Sequence, residues 1–348
     1  MAGWEIAGGS ARMTTQQLPT VSVLMPAYNY ARYVTRAITS VLEQDYPPEL
    51  LRLVVVDDGS TDNTAAVVAE LVERHPERVE LIRQPNSGAS AAYNTALAAS
   101  TGELIAILDA DDVWLPQKTR RQVDEFMANP KLGMVFCDML VVDEHEAVVR
   151  PSQVGAIGEL PRRAFARLLC QNVATASSIV IRRDLARPLQ AGIPYSDWWF
   201  ALQAAEHDEV LYLPEALALY REHGANLTSG VSGAAGVREH RKEIAFQLWA
   251  LRNMDLGSLT MEEISLVWAG VEEHARRALQ AAASFFVALT EISDGDRRRA
   301  VELAKEAQEA RSGGELRGEA LLLLRSLGHD PHAAEVLVRL HDALGIGP

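Results

Sequence analysis

Short apolar runs and helically spaced apolar positions alternate along the first third of the chain. Val21–Met25, Leu51–Val56, Val79–Arg83 and Glu103–Leu108 are compact, largely aliphatic runs that read as buried strands. Between them, Ala31–Gln44 places Val34, Ala37, Ile38, Val41 and Leu42 on one helical face, and Asn63–Arg74 and Ala89–Ala99 show the same period. Alternation of this kind, with strands apolar along their length, predicts a mostly parallel, Rossmann-like α/β sheet with helices on both faces. Ligands of such sheets gather outside the carboxyl ends of the strands.

The pattern loosens from Lys131 onward. Leu132–Met139 and Ser177–Ile181 are expected strands, and Asp197–His207 is an expected helix carrying Trp198, Trp199 and Phe200. Beyond Gly230 the chain becomes rich in Ala, Leu, Glu and Arg with helical spacing, broken at Asp255–Gly257, Ser293–Gly295, Ser312–Gly314 and Gly328–Pro331. The expected organisation is a disordered leader over 1–18, an α/β domain over 19–230 and an all-helical appendage over 231–348.

Charge narrows the partners. With 33 basic and 47 acidic residues the formal charge is −14, which argues against nucleic acid or an anionic membrane as the main partner. Cys137 and Cys170 have no CxxC spacing, so neither a cysteine zinc site nor a secreted disulfide framework is expected. A cytoplasmic location follows as the expectation. No run reaches the ~18 apolar residues of a transmembrane helix. Arg297–Arg299 reads as a solvated helix face, with a peripheral place at the inner membrane surface as the lesser alternative.

Chemistry enters at two of the strand ends. Asp57–Asp62 reads DDGSTD, a tight turn opening a helix, with Asp62 or Thr61 as N-cap. Asp57 and Asp58 end a buried strand, where a carboxylate without a donor is costly to desolvate; a base ring or ribose would supply donors. The second cluster, Leu108–Asp112, reads LDADD. In extended backbone Asp109 and Asp111 point the same way, and carboxylates so placed repel unless a cation lies between them. Hard oxygen ligands suit Mg2+ or Mn2+, which keep waters and bridge to phosphate oxygens.

Five strings in order, VSVLMPAYN, VVVDDGSTD, NSGASAAYN, LDADD and YREHGAN, resemble family 2 glycosyltransferases of the inverting GT-A type over roughly Pro19 to Gly230. The resemblance implies a nucleotide-sugar donor, a UDP-sugar by expectation, and an acceptor hydroxyl that the sequence does not identify. It implies that Pro26, Ala27, Tyr28 and Asn29 line the nucleotide pocket, with Ser87, Gly88, Asn94 and Ala110 also on the donor side. Asp58 is the implied partner of the base ring, and Asp57 is structural or touches the ribose. Asp109 faces ribose or metal, Asp111 is the principal metal ligand, and His223 meets the metal or diphosphate. Asp197 corresponds to the catalytic base.

The chain departs from the family pattern twice. Ser196 stands where an acid usually precedes the base, and Tyr93 stands where many relatives carry Arg before Asn94. Diphosphate contacts are therefore expected from Arg83 or Arg221. One of Trp114, Trp198 and Trp199 is expected to stack on a sugar. The helical region lies outside the resemblance, with acceptor binding and homo-oligomer formation both open for it. Two other classes compete. A nucleotidyltransferase would carry a Gly-rich basic phosphate loop, which MPAYNYARY is not. A non-catalytic sugar-nucleotide-binding scaffold would have no need of Asp109, Asp111, Asp197 and His223 together.

Overall fold

The computed structural model describes residues 18–155, 160–190, 193, 195–223 and a broken series between 242 and 273. The leader apart from Leu18, residues such as Asn226 and Arg297–Arg299, and most of the expected helical appendage lie outside the described residues.

Four strands, β1 (Val21–Ala27), β2 (Leu51–Asp57), β3 (Val79–Arg83) and β4 (Leu104–Ile107), pair in parallel in the order β3–β2–β1–β4. The sheet continues through β5 (Val113–Trp114), β6 (Leu132–Val142), β7 (Val148–Arg150), β8 (Ile179–Arg182) and β9 (Glu209–Arg221). Among the described residues its nine strands follow the order β3–β2–β1–β4–β8–β6–β9–β5, with β7 on β6. β8 runs antiparallel to both β4 and β6, whereas β6 and β9 pair in parallel, so the sheet is mixed beyond its first four strands.

Helices cover both faces, as the fully apolar strands require. Val23, Met25, Leu53 and Val55 face α1 (Val34–Leu42), α2 (Thr64–Arg74) and α4 (Lys118–Ala128). Leu24, Val54, Val56, Ile105 and Ile107 face α3 (Ala89–Ala99), α5 (Phe165–Cys170) and α6 (Ser196–His207). Each such side chain contributes roughly 1.5–3 kcal/mol on full burial. Phe246, Ala250 and Val267 belong to this second side of the core. These three residues lie in the region expected as the helical appendage.

Two elements escape the hydrophobic pattern. α4 buries Lys118, Thr119, Gln122, Val123 and Phe126, a helical face that is mostly polar. β9 contains Pro214, and its pairing with β6 shifts register between Cys137 and Asp138; a proline that cannot donate is tolerated at such a bulge. The polar face of α4 is satisfied internally. Gln122 Nε2 donates to the carbonyls of Val135 (3.1 Å) and Ser178 (2.8 Å). Lys118 Nζ donates to Gln122 Oε1 at 2.7 Å and lies 4.0 Å from the centre of the Trp114 ring.

Burial holds the Lys118 ammonium down to about 8 from its ordinary 10.5. Between those values the unfolded chain binds more protons than the folded one. The destabilisation is thus complete below pH 8 and relieved as pH rises toward 10.5. The melting temperature of the wild type, relative to Lys118→Met, is expected to climb from pH 8 to about 10. A gap independent of pH would show that this lysine is not desolvated.

Candidate active site

The loop after β4 carries Asp109, Asp111 and Asp112 into one small volume. Asp109 keeps one side open, but protein walls the rest of it. Its N–H donates to Ser177 Oγ at 3.0 Å, and the Tyr93 hydroxyl donates to its Oδ1 at 2.7 Å. Burial, then the charge on Asp111 and more weakly that on Asp197, pushes the Asp109 carboxyl up to about 7. Asp112 is buried and accepts the Arg221 N–H at 2.9 Å. Burial and the charges of Asp111 and Asp109 still drive it well above the carboxylate range.

Asp111 faces the end of β9. His223 Nε2 lies 2.9 Å from Asp111 Oδ2. Two tyrosines from the loop before α1 bracket that histidine. Tyr33 stacks on it with centroids 5.0 Å apart, and Tyr30 meets it edge-on at 6.4 Å. The Tyr30 hydroxyl is also hydrogen-bonded to Asp111. Neither tyrosine was among the expected site residues. The signal was present in the aromatic spacing of YNYARY, but only its first tyrosine carried a family expectation.

Asp197 enters from α6. It occupies the first turn, after the N-cap position at Tyr195. Its Oδ1 accepts the Trp198 N–H at 2.7 Å, and Asn172 is hydrogen-bonded to it. Burial nevertheless raises its carboxyl to about 6. Ser196 is hydrogen-bonded to Tyr93. The two departures from the family pattern therefore meet each other, and through Tyr93 they reach Asp109.

Several expected donor contacts are already engaged by the protein. Asp58 accepts from Gln84 Nε2 (2.7 Å), Ser87 N–H (2.9 Å) and Gly88 N–H (2.8 Å), so its donors come from the loop after β3 without any ligand. Asp57 accepts from Ser60 N–H and from Arg83 Nε at 3.3 Å. Arg83 keeps much of its guanidinium exposed. Asn94 clamps Leu189 through both amide groups, at 2.8 and 2.7 Å. Asn29, at φ 60°, receives Thr61 and Asp62 N–H groups on its Oδ1. These two amides tie loops together instead of facing a ligand. Gly59 is needed in the same turn: at φ +73° an added Cβ would lie 2.7 Å from Asn86 N.

Arg221, expected near the diphosphate, is also engaged by the protein. Its Nε donates to the Asp111 carbonyl at 2.9 Å, and Nη1 donates to the carbonyls of Asp143 (3.3 Å) and Glu144 (3.2 Å). Nη2 pairs with Glu146 at 2.9 Å, and Glu146 in turn pairs with Arg36. Buried and so engaged, Arg221 pins the end of β9 to the acidic loop. The three tryptophans are also buried, with indole N–H groups on backbone carbonyls, so none presents a face for sugar stacking. Tyr28 is the exception on this side, with 43% of its surface exposed beside Pro26 and the buried Ala27. Ala110 is buried between Asp109 and Asp111.

Among the described residues no group of three His, Cys, Asp or Glu side chains is arranged to hold one metal ion. Asp111 and His223 come together as a pair; the carboxylate suits Mn2+ or Mg2+, and the softer imidazole favours Mn2+ of the two. Such ions take few protein ligands and complete their shell with water and phosphate oxygens. Asp109 points to Tyr93 instead.

A family model described as glycosyl transferase family 2 matches residues 22–187. An uncharacterized glycosyltransferase of Nostoc sp. is 32% identical over 238 residues, covering 66% of this chain and 72% of the relative. The chain spans 59% of the length of the mycobacterial relatives it matches. A mannosyltransferase from Pyrobaculum calidifontis, solved in complex with GDP-Man and Mn2+, gives a TM-score of 0.60 at 20% identity, over 94% of this chain and 85% of that one. TarS from S. aureus in complex with UDP-GlcNAc gives 0.57 at 20% identity, over 83% and 81%. At such identity the two structures speak to the fold alone, a GT-A type mixed sheet with helices.

The tethering role of Arg221 is testable without any ligand. Arg221→Met strands several buried carbonyls and is expected to lower unfolding free energy by on the order of 3 kcal/mol, measured by urea denaturation of the free protein. Unchanged stability with weakened donor binding would restore the diphosphate role.

Proposed function

The chain belongs to glycosyl transferase family 2, and from that premise we propose that it transfers a sugar from a nucleoside-diphosphate sugar to an acceptor hydroxyl, with inversion at the anomeric carbon. The carrying observation is that Asp197 and Asp111, the partner of His223, both act electrostatically on Asp109. Asp109 feels the charges of both Asp111 and Asp197, so the base and the diphosphate end of the site lie within electrostatic reach of one residue.

Each group then has a role. The exposed ring of Tyr28 receives the base, flanked by Pro26, Ala27 and the Ser87–Gly88 turn that Asp58 holds. Asp109 faces the ribose, and the exposed guanidinium of Arg83 is the remaining cation expected near the diphosphate. Asp111 and His223 would hold Mn2+ or Mg2+, which when bound offsets charge on the departing diphosphate. The Mn2+ in the Pyrobaculum mannosyltransferase complex supports that reading. Asp197 takes the acceptor proton, and its burial favours that role. A carboxylate raised to about 6 is a stronger base than a solvated one and is still ionised at neutral pH. UDP-GlcNAc and GDP-Man, bound by the two structural neighbours, are the first donors to test. Among the described residues no helix is long and apolar enough to cross a membrane.

Substitution and pH probe these roles separately. Asp197→Asn is expected to lower turnover by about 10²–10⁴-fold with donor affinity intact, whereas Asp111→Asn weakens Mn2+ and donor binding together. Full turnover in Asp197→Asn would remove it as the base. In the wild type, turnover falls as pH drops through about 6, where Asp197 takes a proton and can no longer accept one. A pH–rate profile flat across that window would contradict the assignment.

A further inference from the structure

Residues from the C-terminal region lie along α6, the helix that carries Asp197. Phe246 meets the Trp198 ring at 5.0 Å and the Tyr195 ring at 6.0 Å between centroids. Trp249 meets Trp199 at 5.1 Å and stacks on Phe246 at 6.0 Å, with 12° between the planes. Gln247 is buried, and its Nε2 donates to the carbonyls of Leu169 (3.1 Å) and Cys170 (2.8 Å) on α5. Gly270 approaches α5 so closely that an added Cβ would lie 2.7 Å from Cys170 Cβ. At the far end of α6 the Asp255 N–H donates to Glu206 Oε1 at 2.7 Å.

These contacts converge on the turn that holds the base. The indole N–H groups of Trp198 and Trp199 are committed to the carbonyls of Leu168 (2.6 Å) and Arg187 (3.1 Å), which fixes one edge of each ring. Phe246 and Trp249 bear on these same rings, and aromatic pairs at such separations attract beyond simple burial. Asp197 is bonded to the next residue in the chain and accepts the Trp198 N–H. A movement of Trp198 therefore carries Asp197 with it.

We propose that Phe246, Gln247 and Trp249 are positioning residues for Asp197, a wedge that sets the first turn of α6, and that this C-terminal segment is part of the catalytic unit. The proposal rests on the reading of Asp197 as the base. General-base catalysis demands placement within hydrogen-bond reach of the proton to be taken, and α6 alone leaves the orientation of its first turn to its packing partners. The wedge acts through Trp198 on Asp197, so its loss should reach turnover and leave donor binding alone.

The test uses the full-length chain and release of nucleoside diphosphate from UDP-GlcNAc or GDP-Man in Mn2+, with water as acceptor. Phe246→Ala is expected to lower kcat by about a hundredfold, the loss that a displacement of about 1 Å produces, with donor KM unchanged. Phe246→Leu, which refills most of the volume, restores most of kcat. Where Phe246→Ala does not fold, Gln247→Leu is read in the same way. Wild-type kcat in a folded variant, or a fall in kcat matched by a rise in KM, overturns the proposal. Asp197→Asn run alongside separates the two ideas: a fast Asp197→Asn sinks the base, while a slow Asp197→Asn with a fast Phe246→Ala sinks only the wedge. If neither donor is hydrolysed, 19F spectra of fluorotryptophan-labelled protein decide. The Trp198 line is expected to shift or broaden in Phe246→Ala while that of Trp114 stays, and an unchanged Trp198 line overturns the proposal.

Discussion

Crowding of carboxylates at the carboxyl edge of the sheet is the constraint around which the neighbouring loops are organised. Asp109, Asp111 and Asp112 occupy one short loop, and Asp197 faces them closely enough for its charge to be felt at Asp109. Like charges in a low-dielectric setting raise one another's proton affinity and push apart. The chain answers with hydrogen-bonding groups from separate elements: Tyr93 from α3, Ser177 from the turn before β8, Tyr30 from the loop before α1, the Arg221 N–H from the end of β9, and His223 just past it. Each tether shortens the distance between its own element and the acidic loop. The geometry of the site and the packing of its walls are thus one problem, and a cation at Asp111 and His223 is the remaining means of lowering the repulsion.

Much of this was legible in the residues. The apolar runs marked the first four strands and the helices between them because both faces of that half of the sheet are covered, so burial is continuous along each strand. The carboxyl-edge location of DDGSTD and LDADD followed from that topology alone. α4 and β9 were not legible for opposite reasons. α4 buries a polar stripe whose partners, Gln44, Ser178 and Val135, are distant in sequence, and β9 hides its period behind Pro214 and a register shift.

The expected site residues that the protein itself engages share a physical cause. A polar side chain at this edge can serve a ligand or a neighbouring loop, and sequence cannot separate the two when the partner is a backbone group remote along the chain. Asn29, Asn94, Asp58 and Arg221 all bind backbone atoms of other loops. Tyr93 and Ser196, which stand in the sequence as separate departures from the family pattern, are hydrogen-bonded to each other and form a route from α6 to Asp109. The same limit hid the C-terminal contacts, since an Ala- and Leu-rich helical stretch does not announce which core it joins.

The central claim is that this acidic edge binds a nucleotide sugar with a divalent cation and breaks its anomeric bond. The most direct measurement is release of nucleoside diphosphate from a panel of nucleotide sugars, with and without Mn2+, by the full-length protein. Release from at least one donor, abolished by chelation and restored by Mn2+ or Mg2+, is the predicted result. Tight binding of a donor with no release under any metal condition would contradict the account and leave a sugar-nucleotide-binding protein in its place.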